Sequence, residues 1–327
     1  MKFLFAGDVM LGRMVNAVLQ EESAAYPWGN TLPVFRDASA RICNLECVIS
    51  DRGSPWSVTP KVFHFRSDAR NVGVLKTAGI DTVSLANNHT LDFEYEAMFE
   101  MLRILDRAGI HHAGAGSNLD EASRPARWKI QDKTAGFIAF TDNEPDWGAT
   151  REKPGVFYVP IDTQDDRARM LFEIIRTTKK EVHLLIVSAH WGPNWGYRPQ
   201  PDHITFGHHL IDSGADIVFG HSCHVFQGVE IYMGRPIIYS AGNFIDDYAV
   251  DEIERNDESF LFTVEIWNSR ICKLRLYPTM ISNFQAIMAR HADAERILVK
   301  MQKLCTELKT SAVIDEKNQF LDIPVTP

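Results

Sequence analysis

Short apolar runs alternate with helical patterns along most of the chain, and that alternation restricts the fold to a layered α/β arrangement. The spacing predicts strands at Lys2–Ala6, Arg41–Leu45, Asp81–Leu85, Gly136–Thr141, His183–Ala189 and Asp216–Phe219. Between them, apolar residues recur at helical intervals over Ala69–Ala78, Tyr95–Ala108, Asp165–Lys179 and Asp202–Ser213. Three of these segments run into Gly79, Gly109 and Gly214, as a helix C-terminus asks, because glycine takes the left-handed conformation cheaply.

The later part changes character. Val225–Tyr232, Arg235–Ser240, Ser259–Trp267 and Ile271–Tyr277 read as strands with short connections, which pair antiparallel, with a tight turn at Asn268-Ser269. Ala289–Leu308 reads as a last amphipathic helix, and the polar tail beyond it as loosely ordered. Two mixed sheets packed face to face with helices outside are the expected result. At 327 residues the chain exceeds the ~100–200 of a typical domain, yet it has no internal repeat and no Pro/Gly/Ser-rich linker. One domain is expected, with residues 1–285 as its body and the helix and tail of 286–327 packed on it. Irregular segments at Asp51–Lys61, Asn143–Gly155 and Asp246–Asn256 follow strand ends and are expected to wall or cover a site.

Charge excludes several function classes. With 34 basic against 43 acidic residues the net charge is −9, which disfavours nucleic acid and anionic membrane as partners. No stretch approaches the ~20 apolar residues of a membrane span, and Asp8 breaks the first apolar run too early for a signal peptide. Five scattered cysteines do not suit a disulfide framework. A cytoplasmic location is expected, and the oligomeric state is left open.

Polar residues interrupt the apolar pattern at strand ends. Asp8 follows the first strand, Asn44 and Glu46 close the second, and Asn87, Asn88, His89 and Asp92 follow the third. His190 ends His183–Ala189, and His221 and His224 follow Asp216–Phe219. Ligands of open α/β sheets bind beyond the carboxyl ends of their strands, so these side chains are expected at one edge. Mixed carboxylate, amide and imidazole ligands suit one or two divalent ions among Mn, Fe, Co and Zn. Such a pair activates water and polarises a carbonyl or phosphoryl oxygen. Cys43, Cys47 and Cys223 read as packing residues, and neither a G-x-S-x-G elbow nor a phosphate-binding glycine loop is present.

Six segments in order carry a family resemblance: Gly7-Asp8-Val9-Met10-Leu11-Gly12-Arg13, Asn44-Leu45-Glu46, Ala86–Asp92, Ala189-His190-Trp191-Gly192, Gly220–Gln227 and Tyr239–Phe244. From about residue 2 to residue 280 the chain resembles the CapA-type poly-γ-glutamate synthesis proteins of the calcineurin-like metallophosphatase superfamily. The resemblance implies a four-layer α/β/β/α sandwich. It implies Asp8, Glu46 and His224 as ligands of one metal, and Glu46, Asn88, His190 and His221 as ligands of the other, with Glu46 bridging. His89 then corresponds to the catalytic general acid or base, oriented by Asp92. Met10 stands where the wider superfamily has the histidine of Asp-x-His, which leaves one metal a ligand short. Thr90 stands where phosphatases carry an acid. Arg13 and Lys61 are candidate anion-binding residues, and Trp191 and Trp195 candidate aromatic walls of a substrate pocket.

The first functional expectation is therefore a metal-dependent enzyme acting at an amide carbonyl of a peptide or γ-glutamyl substrate. A peptide epimerase is the second, since metal coordination acidifies the neighbouring α-proton and a second base would complete the inversion. A phosphoesterase and a non-catalytic subunit of a polymer synthesis complex complete the set.

Overall fold

Side chains of a strand point alternately to its two faces, and the opening strand, Lys2–Val9, is buried on both. Phe3 and Phe5 face one hydrophobic core while Leu4 and Ala6 face another, the condition of a strand covered on each side. The computed structural model describes residues 1–267 and 270–325. The turn expected at Asn268-Ser269 lies outside the described residues.

Lys2–Val9 is central to the larger sheet. Ala40–Leu45, Thr82–Ser84 and His111–Ala113 continue from it in parallel on one side. Glu258–Trp267, Arg270–Ser282 and Phe320–Pro324 continue antiparallel on the other. In the smaller sheet Leu184–His190 lies between Lys133–Thr141 and Ile217–His221, parallel to both. Arg235–Ile238 pairs parallel with Ile217–His221, while Val229–Tyr232 and Ala126–Ile130 form antiparallel edges.

Three cores separate four layers. Phe3, Phe5 and Ile42 of the larger sheet meet Phe137, Ile186 and Phe219 of the smaller between the sheets. Helices Val72–Ala78 and Glu94–Ala108 cover the outer face of the larger sheet through Leu75, Met98, Met101 and Leu105. Asp166–Lys179 and Pro201–Asp212 cover the smaller through Leu171, Ile175, Phe206 and Leu210. The result is the α/β/β/α sandwich of metallophosphatase type with two mixed sheets. Gly79 and Gly109 end their helices at φ 67° and 71°, as the sequence pattern required.

Two expectations need correction. The C-terminal tail is not loose: Val313–Asp315 and Phe320–Pro324 form a hairpin that extends the larger sheet along Arg270–Ser282. Leu321 and Ile323 are fully buried, and Asp322 between them takes both nitrogens of an Arg275 fork at 2.7 and 2.8 Å. A strand that buries only alternate residues looks polar in sequence when the others pair with charges. The strand expected over Val225–Tyr232 begins only at Val229, because Val225 and Phe226 are buried in the turn after His224. Helix His291–Glu307 packs Ile297, Leu298 and Met301 into the inter-sheet core. Among the described residues no helix is long and apolar enough to cross a membrane.

Candidate metal centre

The two motif glycines before Asp8 and His221 are dictated by crowding. A Cβ on Gly7 would lie 1.9 Å from the Gly242 carbonyl oxygen, and one on Gly220 would lie 2.1 Å from that of Tyr239. Neighbouring backbone thus closes over each strand end just where its candidate ligand begins. Strand register does the rest. Asp8 is the partner of Asn44 on one side and Asn243 on the other. His190 and His221 are partners in the smaller sheet, which brings their Nδ1 atoms to 2.8 Å. Ser222 and His224 adopt φ of 109° and 57°; in this left-handed turn His224 Nδ1 lies 3.0 Å from Asn243 Oδ1.

Two groups of ligating atoms result: Asp8 with His190 and His221, and Asp8 with Glu46 and His224. Asn88 joins the first through Oδ1, 3.0 Å from His190 Nε2. Asp8 is common to both groups, the place the resemblance gives to Glu46. All six residues expected as ligands come together. Met10 does not join them; its buried sulfur accepts a hydrogen bond from the Gly12 amide at 3.0 Å.

The electrostatics of this group suit a cation. Asp8 and Glu46 are each 1% exposed, and among the described residues no Lys or Arg pairs with either. Asp8 Oδ1 accepts from Asn44 Nδ2 at 2.7 Å, but Asp8 Oδ2 and Glu46 Oε2 have no hydrogen-bond partner. Burial raises the carboxyl pKa of both, and the Asp8 charge raises Glu46 further. Burial holds His190 well below the usual imidazole range and His221 at about 3, so both rings are neutral. Two buried, under-satisfied carboxylates among neutral imidazoles fit one or two divalent ions, whose charge would replace the missing partners.

His89 stands beside this group rather than in it. Its Nδ1 donates to Asp92 Oδ2 at 2.6 Å, and its Nε2 lies 3.9 Å from Glu46 Oε1. Phe65 stacks on the ring with centroids 3.9 Å apart. Burial keeps His89 well below its ordinary pKa and pushes Asp92 up to about 7. Asp92 also accepts from the Phe65 amide at 2.6 Å and pairs with Lys61 at 3.5 Å.

A cavity of about 550 Å³ opens in front of His89, Asn88 and His224. Arg13, Lys61 and Trp195 line it, where the sequence placed substrate contacts. Trp191 does not. It is 2% exposed, donates from its indole to the Tyr239 carbonyl at 2.9 Å, and stacks on the Tyr239 ring. A tryptophan after a ligand histidine can turn to either side of its strand, and this one turns into the helix-covered core. Phe63, Glu144 and Tyr248 line the cavity without having been singled out. The signal for Glu144 and Tyr248 was their place in two of the three irregular segments that follow strand ends.

The sequence profile of the family described as bacterial capsule synthesis protein PGA_cap matches residues 2–248. A probable polyglutamine synthesis accessory protein of Mycobacterium tuberculosis is 29% identical over 364 residues, covering 98% of this chain and 95% of its own. The PGA biosynthesis protein CapA of Bacillus subtilis is 29% identical over 245 residues, covering 74% of this chain and 62% of its own. Among solved structures, a hypothetical protein from Thermus thermophilus superposes with a TM-score of 0.53 at 15% identity, covering 86% of this chain and 100% of that one. That likeness is one of fold.

Proposed function

The chain belongs to the PGA_cap family of bacterial capsule synthesis proteins, and from that premise we propose that it is a metal-dependent hydrolase of an amide bond in a peptide or γ-glutamyl substrate. The observation that carries the reading is His89, a neutral imidazole held by Asp92 at 2.6 Å and facing the cavity beside the ligand cluster. Asp8, Glu46 and His224 would hold one ion, and Asp8, His190, His221 and Asn88 the other. Divalent ions bound there would supply Lewis acidity toward the carbonyl oxygen and the attacking water. His89 Nε2 takes the proton of that water and returns it to the departing amide nitrogen. Asp92 fixes the proton on Nδ1, and the Lys61 ammonium offsets the Asp92 charge.

Less supports the other readings. Epimerisation asks for a second base across the substrate from His89, whereas Asp92 is hydrogen-bonded behind that ring. Phosphate-ester chemistry loses the acid after the histidine, since Thr90 donates its hydroxyl to the Leu85 carbonyl, inside the fold. The relatives' names, a polyglutamine synthesis accessory protein and a PGA biosynthesis protein, support a γ-glutamyl substrate.

The test is incubation of Mn²⁺-loaded protein with γ-glutamyl-p-nitroanilide in D₂O. Metal-dependent release of p-nitroaniline is expected. Deuterium at Cα without cleavage would establish epimerisation instead, and a metal-loaded protein that does neither would point to a non-catalytic subunit.

A further inference from the structure

The cavity of the metal centre is apolar where it opens. Val62, Phe63 and Trp195, from two separate loops, line it while remaining 85%, 58% and 44% exposed. Exposed apolar side chains scattered singly need no explanation, but several converging on one opening mark a binding surface.

Beside Phe63 in the same lining stands Arg13. Its backbone is held at φ 50°, an uncommon conformation for a residue with a Cβ. Its guanidinium lies 5.8, 5.5 and 6.0 Å from the ring centroids of Phe63, Phe65 and Tyr248. Nε is tied to the buried Asp247 carboxylate at 3.2 Å, while the two terminal nitrogens have no hydrogen-bond partner among the described residues. A guanidinium anchored in this way offers a preorganised fork to a carboxylate. Lys61, the other ammonium or guanidinium of the lining, is already engaged. It donates to the Asn88 carbonyl at 2.7 Å and pairs with Asp92 at 3.5 Å and Glu144 at 3.3 Å.

Apart from Lys61 and the ions the ligand cluster would hold, the lining gives the next carboxylate of an all-acidic chain only aromatic rings and Glu144 to face. A ligand that sets one carboxylate on the Arg13 fork and an apolar neighbour on the rim meets both parts of the surface. We propose, building on the hydrolase reading of this site, that the substrate is amphipathic: one carboxylate on the Arg13 fork and an apolar or aromatic side chain against Val62, Phe63 and Trp195.

Calorimetric titration of Mn²⁺-loaded protein with γ-glutamyl-phenylalanine and γ-glutamyl-glutamate tests this. Covering one phenyl ring on the rim corresponds to roughly tenfold tighter binding of the first. The double variant Val62→Ser, Phe63→Ser changes only exposed side chains; it should bring that ratio close to one, and the ratio is the readout because Phe63 also lies beside the Arg13 guanidinium. Arg13→Gln should weaken both by about tenfold. Equal or tighter binding of γ-glutamyl-glutamate overturns the proposal, as does a preference that survives the double variant. Phosphatidylglycerol vesicles that bind wild type and displace γ-glutamyl-phenylalanine would assign the rim to a membrane and also overturn it. Binding is read apart from turnover: a tight γ-glutamyl-phenylalanine complex that is never cleaved supports this proposal and defeats the hydrolase reading, whereas cleavage of both dipeptides with no preference in affinity does the reverse.

Discussion

Stripping divalent ions from this protein is expected to lower its melting temperature by about 4 °C, and Asp8→Asn is expected to abolish that response. Asp8 belongs to both ligand groups, is 1% exposed, and leaves Oδ2 without a partner. An ion held at a hundred times its dissociation constant stabilises the folded state by about 2.7 kcal/mol. Unfolding entropy near 2.1 cal/mol/K per residue amounts to about 0.7 kcal/mol/K over 327 residues. The quotient is about 4 °C. Asparagine at position 8 keeps an oxygen for the Asn44 donor, which now sits 2.7 Å from Oδ1, and removes a buried charge. The stripped variant should therefore melt no lower than stripped wild type, and Mn²⁺ should add nothing to it. Differential scanning calorimetry with EDTA and with Mn²⁺, on both proteins at one pH, reads the comparison. Wild type that melts identically in both conditions, or a variant that keeps the full gain, would contradict ion binding through Asp8.

Gly7→Ala should destabilise by about 1–3 kcal/mol, because its Cβ would meet the Gly242 carbonyl at 1.9 Å; an unchanged urea midpoint would contradict the crowding argument. Asp246 is buried, lacks a partner for Oδ2, and is pushed up to about 8 by that burial. A raised carboxyl pKa gives stability that is full below ~4 and is lost as pH climbs to the folded value. Asp246→Asn should remove that slope in ion-stripped protein, raising stability over wild type at pH 8.5 more than at pH 5; a parallel pair of curves by urea denaturation would count against it. Asp92→Asn should cut turnover of γ-glutamyl-p-nitroanilide by about 10²-fold or more through loss of the His89 orientation, with metal content unchanged because Asp92 lies outside both ligand groups. Wild-type turnover in that variant would remove Asp92 from the account.

The layered fold and the gathering of the candidate ligands were legible because both leave local traces. An apolar strand ending in Asp8, His190 or His221 interrupts its own pattern, and the parallel arrangement carries every such end to the same edge of its sheet. What depends on register between distant strands left no such trace. That Asp8 is the carboxylate shared by the two groups follows from its pairing between Asn44 and Asn243, which no spacing in the sequence encodes. Trp191 and Trp195 looked alike in one Gly/Pro-containing loop, yet the first turns into the core and the second lines the cavity. Tyr248 and Phe63 lie in irregular segments, where aromatic residues have no periodicity to set them apart. The C-terminal hairpin was hidden by charges, Asp322 above all, whose partner Arg275 lies on a strand 47 residues away.

In the proposed mechanism His89 performs the proton transfers while other residues hold the metal. This division of roles is tested most directly by measuring, in one preparation, the metal content of His89→Gln and its turnover of γ-glutamyl-p-nitroanilide beside wild type. Metal content equal to wild type and turnover lower by about 10²-fold or more are expected. Turnover retained in His89→Gln at full metal content would contradict that mechanism.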